Sequence, residues 1–392
     1  MRQPLSARSS TPLAIRWGAA VAAVLTAAST ASPANAHPQR GPQVPVEPQV
    51  VATGLDNPRH LTFAANGDLY VAEAGSGGTG PCLPGAEGGE VCFGKSGAIT
   101  RVSDLWHRRS GASQTRVVTD LPSLAEADGG SAIGASDIDV EGWGDWSRLS
   151  IVIGLGHDPA VRDANPELSQ MATLVQTRPY GDRLWTVADL GAHETAENPV
   201  NDFDSNPVSV LRRGSRFVVA DAGGNTVVRV NRRGGMRNLA ALPDVFVDAP
   251  PFLGLPPGTQ IPVQAVPTSV AIGPDRAYYV SQLTGFPFQA GLSKIWRVDR
   301  AGGTPTVYAE GLTNVTDLEF ADDGTLYAVE ISAAGLLNGP IGALVKVTPS
   351  GPQVVKGDLD APYGLALKGR SAYVTTGSTT KGGGQVIRIP LP

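Results

Sequence analysis

Internal repetition is the feature that most constrains what this chain can fold into. One unit recurs six times: a Pro or polar residue opening a short apolar strand, a Gly/Asp/Asn turn, a second strand, a variable loop, a third strand ending in Arg/Lys-Val or a near variant, and a fourth strand running into Gly-Leu or Asp-Leu. The first copy reads Pro58-Arg59-His60-Leu61-Thr62-Phe63, a turn from Ala64 to Asp68, Leu69-Tyr70-Val71-Ala72-Glu73, and Gly97-Ala98-Ile99-Thr100-Arg101-Val102. Later copies start at Pro207, Pro267, near Asn314 and at Pro362, and a degraded second copy follows Asp137-Ile138-Asp139-Val140. Aligned on Tyr70, the copies fall at positions 70, 150, 218, 279, 327 and 373, with gaps of 80, 68, 61, 48 and 46 residues. The last two gaps suit a bare four-stranded unit, and the earlier ones carry insertions. Six such units predict an all-β, six-bladed β-propeller.

The repeat also predicts how the ring closes. Copy six stops after its third strand at Ile389-Pro390-Leu391-Pro392, while Gln49-Val50-Val51-Ala52-Thr53-Gly54-Leu55 resembles the fourth strand Thr306-Val307-Tyr308-Ala309-Glu310-Gly311-Leu312. The N-terminal strand is therefore expected to complete the last blade and remove an open edge. The 48 glycines and 32 prolines exclude a long-helix or coiled-coil protein, and the repeat assigns most of them to turns and loops.

Residues 1–36 read as a secretory signal: Arg2, Arg8 and Arg16, an apolar stretch from Trp17 to Ala28 too short to span a bilayer, and Ala34-Asn35-Ala36 before His37. Without an Arg pair or a junction Cys in this segment, the general secretory pathway is expected. The expected organisation is a signal over 1–36, a flexible segment over 37–45 and one propeller domain over 46–392. Loss of the three signal arginines takes the net charge from −5 to −8. No basic stripe marks a nucleic-acid binder, and the expectation is an extracellular monomer with no membrane attachment after cleavage. In an oxidising compartment Cys82 and Cys92, the only cysteines, are expected to form a disulfide closing a small loop.

Strand order separates two faces. Tight turns such as Ala65-Asn66-Gly67 and Asp322-Asp323-Gly324 lie on one side. The insertions 74–96, 154–170, 283–293 and 332–342 and the crossings 191–206 and 246–266 lie on the other, where binding sites are expected. Glu73, Asp221 and Glu330 end second strands on that face, and Asn57, Asn206 and Asn314 lie at or beside the starts of first strands. Glu73, Asn206, Asp221 and Glu330 could converge as oxygen ligands for Ca²⁺. They could equally satisfy strand-end amides and initiate turns. Asn57, Arg59, Asp204 and Asn314 complete the candidate binding face. His60, near the expected channel mouth, is a candidate acid/base group or a structural histidine. His193-Glu194-Thr195-Ala196-Glu197 reads as loop and falls short of a zinc-protease motif, and there is no Gly-x-Ser-x-Gly elbow.

The assembled motifs resemble the ScyD/ScyE family of exported proteins, named for a scytonemin-pigment gene cluster. The resemblance is carried by Gly54-Leu55-Asp56-Asn57-Pro58-Arg59 with Leu69-Tyr70-Val71-Ala72-Glu73, by Ile153-Gly154-Leu155-Gly156 followed by Asp158-Pro159, and by Asp204-Ser205-Asn206-Pro207 leading to Val219-Ala220-Asp221-Ala222-Gly223-Gly224-Asn225. It runs from about residue 45 to the end, and departs at His157, where the family carries Gly, and at Pro199-Val200-Asn201-Asp202. It implies export and a propeller like those of NHL and gluconolactonase-type proteins. The leading expectation is a binding or accessory protein that presents its loop-rich face to a small molecule, glycan or protein. The alternatives are a Ca²⁺-dependent lactonase or hydrolase and, on the slighter basis of His60 with Arg59, a quinone-cofactor sugar dehydrogenase.

Overall fold

A computed structural model describes residues 47–85, 89–105, 112–199 and 203–392. The expected signal over 1–36 and the segment 37–45 lie outside the described residues. Six sheets follow the repeat, each antiparallel with its innermost strand first. The innermost strands are Pro58–Phe63, Ala135–Glu141, Pro207–Arg213, Pro267–Ile272, Val315–Phe320 and Leu365–Lys368, for blades one to six in turn. The sixth sheet has the order Leu365–Lys368, Ser371–Thr376, Gly384–Pro390 and then Gln49–Leu55 on its outer edge. Gln49 stands opposite Arg388 and Leu55 opposite Gly384.

The cores lie between blades, because each pleated sheet presents alternate side chains to both neighbours. Val218, Val227 and Leu239 of blade three pack with Val270, Tyr278, Val280 and Trp296 of blade four. Tyr327, Val329 and Leu344 of blade five pack with Leu365, Val374 and Ile387 of blade six. Each fully buried Leu, Ile or Val contributes roughly 1.5–3 kcal/mol.

Several loop-face segments carry regular structure where the sequence reads as loop, among them the helix Pro159–Asp163 and the paired strands Val245–Asp248 and Gln260–Val263. The 74–96 insertion holds the strand Cys82–Pro84, which pairs with the long strand Glu90–Ser103. Cys82 and Cys92 are joined there as a disulfide between directly opposed residues. The His193 segment lies in the helix Leu190–Glu197, nucleated by Asp189, whose carboxylate accepts the Ala192 N–H at 2.9 Å. The Nε2 of His193 is paired with Asn238 Oδ1 at 2.9 Å.

A buried polar belt runs round the axis at the third residue of each of the first five innermost strands: His60, Asp137, Ser209, Ser269 and Asp317. Each ties its blade to the next. Asp137 accepts the Val210 N–H at 2.8 Å, Ser209 accepts the Val270 N–H at 3.3 Å, Ser269 donates to Asp317 at 2.6 Å, and Asp317 accepts the Leu365 N–H at 2.7 Å. On the sixth blade Thr375 completes the circuit by donating to the Arg59 carbonyl at 2.9 Å. The innermost strands face no seventh blade, so these side chains supply the contacts a continuous sheet would otherwise provide.

Candidate functional site

The belt divides the axis into two depressions. The one on the turn-rich face is lined by His60, Asp137, Asp139, Asp317 and Glu319 among others. The one on the loop-rich face is open to solvent, and about 920 Å³ of empty space lies in and around it, bulk solvent included. Its polar lining includes Arg59, Ser136, His157, Asn206, Thr268 and Tyr363, and Ile133, Val208, Ala222, Val266 and Leu283 give it an apolar wall.

Of the residues singled out in the sequence, Arg59 and Asn206 meet in this cavity. Arg59 is 8% exposed and lies with its guanidinium 4.8 Å from the Tyr363 ring centre, a cation–π contact. Its Nη1 donates to the Ser378 carbonyl at 2.7 Å and its Nη2 to the Ala132 carbonyl at 2.5 Å. Asn206 is also 8% exposed, and its side-chain oxygen has no hydrogen-bond partner among the described residues. Gly154 makes room for it, since a Cβ there would stand 2.3 Å from that oxygen.

His60 lies below this cavity rather than at its mouth. It is 2% exposed, edge-on to Tyr363 at 5.1 Å between ring centres. Nδ1 faces the Ser136 carbonyl at 3.1 Å and Nε2 the Thr316 carbonyl at 3.2 Å, with Asp317 3.8 Å away. A neutral imidazole has one donor nitrogen and one lone pair. Two carbonyl neighbours are best matched by two N–H groups, which favours the imidazolium form of His60. Its burial alone would lower its pKa, but Asp317, Asp137 and the two carbonyls raise it above the usual histidine value. Both of its nitrogens thus face backbone carbonyls rather than the cavity.

The remaining candidates are strand-end pins, and they do not form one ligand set. Glu73 accepts the Asp56 N–H at 2.8 Å and the Thr100 hydroxyl at 2.6 Å and is ion-paired with Arg116 at 2.6 Å. Asp221 accepts the Asn206 N–H at 2.6 Å, the Ser205 hydroxyl at 2.8 Å and the Gly224 N–H at 3.2 Å. Glu330 accepts the Thr313 N–H at 2.8 Å, and burial raises its carboxyl to about 7. Asn57 donates to the Gly75 and Gly129 carbonyls at 2.7 and 2.8 Å. Asn314 donates to the Leu283 carbonyl at 2.9 Å and accepts the Leu336 N–H at 3.0 Å. Asp204 packs against Gly223, where a Cβ would lie 2.6 Å from its carboxylate.

No group of three or more His, Cys, Asp or Glu side chains suited to a metal occurs among the described residues. The carboxylates proposed for Ca²⁺, Glu73, Asp221 and Glu330, accept N–H and O–H donors on three separate blades and so form no single ligand set, while the Asn206 oxygen stands apart from them. Chelator at about 1 mM is expected to leave the melting temperature within about 1 °C of its starting value. A fall of several degrees, reversed by added Ca²⁺, would show a metal-dependent ring.

No protein-family model and no curated protein sequence matches the chain. Among solved structures it is similar to selenomethionine-substituted virginiamycin B lyase from Staphylococcus aureus, at 11% identity and a TM-score of 0.45, over 88% of this chain and 99% of that one. It is similar also to the PQQ-bound aldose sugar dehydrogenase from Streptomyces coelicolor, at 14% identity and a TM-score of 0.49, over 87% and 96%. A chain of a nidogen/laminin complex aligns at 13% identity and a TM-score of 0.43, over 72% and 84%. These likenesses are architectural, and no activity passes from them to this chain. What is established is a six-bladed propeller with a buried polar belt and a loop-face cavity.

Proposed function

We propose that this chain is an exported, ScyD/ScyE-like binding protein that takes one small molecule, as a monomer, into the loop-face cavity. The observation that carries this reading is the pairing of a deep apolar wall with an inward-facing cation, Arg59, and an unpaired amide oxygen, Asn206. Ligand pockets are commonly apolar with a few fixed polar groups that set orientation. Export is supported by the signal-like residues 1–36 and by the Cys82–Cys92 disulfide, a bond characteristic of oxidising compartments. The apolar wall suits a small molecule better than a glycan, whose hydroxyls it would leave unpaired.

Obstruction of the mouth tests this. His157 is half-buried on the cavity wall, and its backbone bridge to Ser205 is independent of its side chain. In a thermal-shift screen of small molecules, compounds that stabilise the wild type are expected to lose at least about tenfold in affinity with His157→Trp. Equal stabilisation of both proteins would place binding elsewhere, and no stabilising compound at all would reject the small-molecule reading.

A further inference from the structure

Arg59 and Asn206 leave complementary needs open in one cavity. A guanidinium has five N–H donors, and two of those of Arg59 reach carbonyls. The other three have no acceptor, and no carboxylate forms an ion pair with Arg59, among the described residues. Partial offset comes from the Tyr363 ring and the two carbonyls. A cation this buried nevertheless remains costly without a counter-charge. The opposite deficit exists at Asn206, whose buried oxygen lacks a donor. Among the described residues the lining holds no second cation beside Arg59, because burial lowers the pKa of His157 and keeps its ring neutral at pH 7. The one lining carboxylate among the described residues, Glu126, is partly exposed.

We infer that the cavity is built for an organic monoanion that bears a hydroxyl or N–H donor: a carboxylate seated on Arg59, a donor directed to the Asn206 oxygen, and an apolar body against Val208, Val266 and Leu283. The single cation favours one negative charge over two. A planar carboxylate matches the guanidinium fork, which can present two parallel N–H groups. The apolar wall excludes small fully hydrated anions by leaving them poorly solvated. The inference deepens the small-molecule reading and rests on it.

The probes are mandelate, its neutral amide mandelamide, and phenylacetate, which keeps the carboxylate and lacks the hydroxyl. Titration calorimetry on the mature wild-type protein should give the order mandelate, then phenylacetate, then mandelamide. Loss of the charge should cost about tenfold or more in affinity, and loss of the hydroxyl a smaller factor. Arg59→Met should abolish the preference for mandelate over mandelamide, and Asn206→Ser the preference for mandelate over phenylacetate, each leaving the other preference in place. If Arg59→Met does not fold, Arg59→Lys should retain the charge preference with weaker binding, and the wild-type series decides the matter without any variant. Mandelamide binding as tightly as mandelate, and blocked by His157→Trp, would overturn the anion assignment while leaving the cavity a small-molecule site. No binding by any of the three at about 10 mM would reject the assignment outright. If a wider set of neutral compounds also failed to bind, the cavity reading would fall with it.

Discussion

Replacement of His60 by Gln lowers the unfolding free energy by about 3–5 kcal/mol, the usual result of breaking a buried charge pair. Gln keeps much of the volume and can still donate to one of the two carbonyls, but it carries no charge. Asp137 and Asp317, less than a tenth exposed and already raised in pKa by burial, then face each other without a cation. The pH dependence separates this from a loss of packing. The folded-state pKa of His60 lies above its ordinary 6.5, so its contribution is complete below 6.5 and is lost as pH rises through the raised value. Asp137 is shifted from 3.8 to about 6. It therefore takes up a proton in the folded state as pH falls through about 6, below that window, and then needs the cation less. The gap between wild type and variant should be widest near pH 6.5, and narrower at about pH 4.5 and about pH 9. Urea unfolding at the three pH values measures it. A loss below about 1 kcal/mol that does not change with pH would mean that His60 is an ordinary packed ring.

The ring was legible in the sequence because blade architecture depends on features a sequence displays directly: strand periodicity, turn residues and spacing. Tyr70, Tyr279, Tyr327 and Tyr373 mark the same register in four second strands, and the structure keeps them there. The candidate site was legible only in part. Glu73, Asp221 and Glu330 were recognisable as oxygen-bearing strand ends, but a carboxylate that binds a cation and one that accepts amides look the same in one dimension. The neighbouring donors, such as the Asp56 and Thr313 N–H groups, settle the difference. The belt did leave a signal. His60, Asp137, Ser209, Ser269 and Asp317 all stand third in their innermost strands, and aligning that column across the copies would have exposed it. Tyr363 left none, because it precedes the last innermost strand and acquires its role only by stacking on Arg59 and His60. Helix Leu190–Glu197 was missed because its cap, Asp189, ends a strand.

Removal of residues 47–55 should cost the whole ring rather than one strand. Gln49–Leu55 forms the outer edge of blade six through five paired positions with Gly384–Pro390, and it buries Ala52 and Leu55. It also grips blade one: the Thr53 N–H donates to Gln114 Oε1 at 3.0 Å, and Gln114 Nε2 donates to the Thr53 carbonyl at 2.8 Å. The buried Leu55 alone is worth roughly 2–5 kcal/mol, and each lost ladder hydrogen bond about 0.5–1.5 kcal/mol. Their sum is comparable to the 5–15 kcal/mol that holds a typical fold together. The bared edge of Gly384–Pro390 would then offer unpaired N–H and C=O groups to other chains. A chain beginning at Asp56 should lose its cooperative melt near 25 °C and elute as soluble aggregate rather than monomer. A synthetic peptide of residues 47–55, added in excess, should recover part of the monomer by strand addition. That recovery separates loss of the edge strand from a general defect in folding. A truncated chain that stays monomeric and melts within about 2 °C of the parent would show that the first and last blades hold together without it.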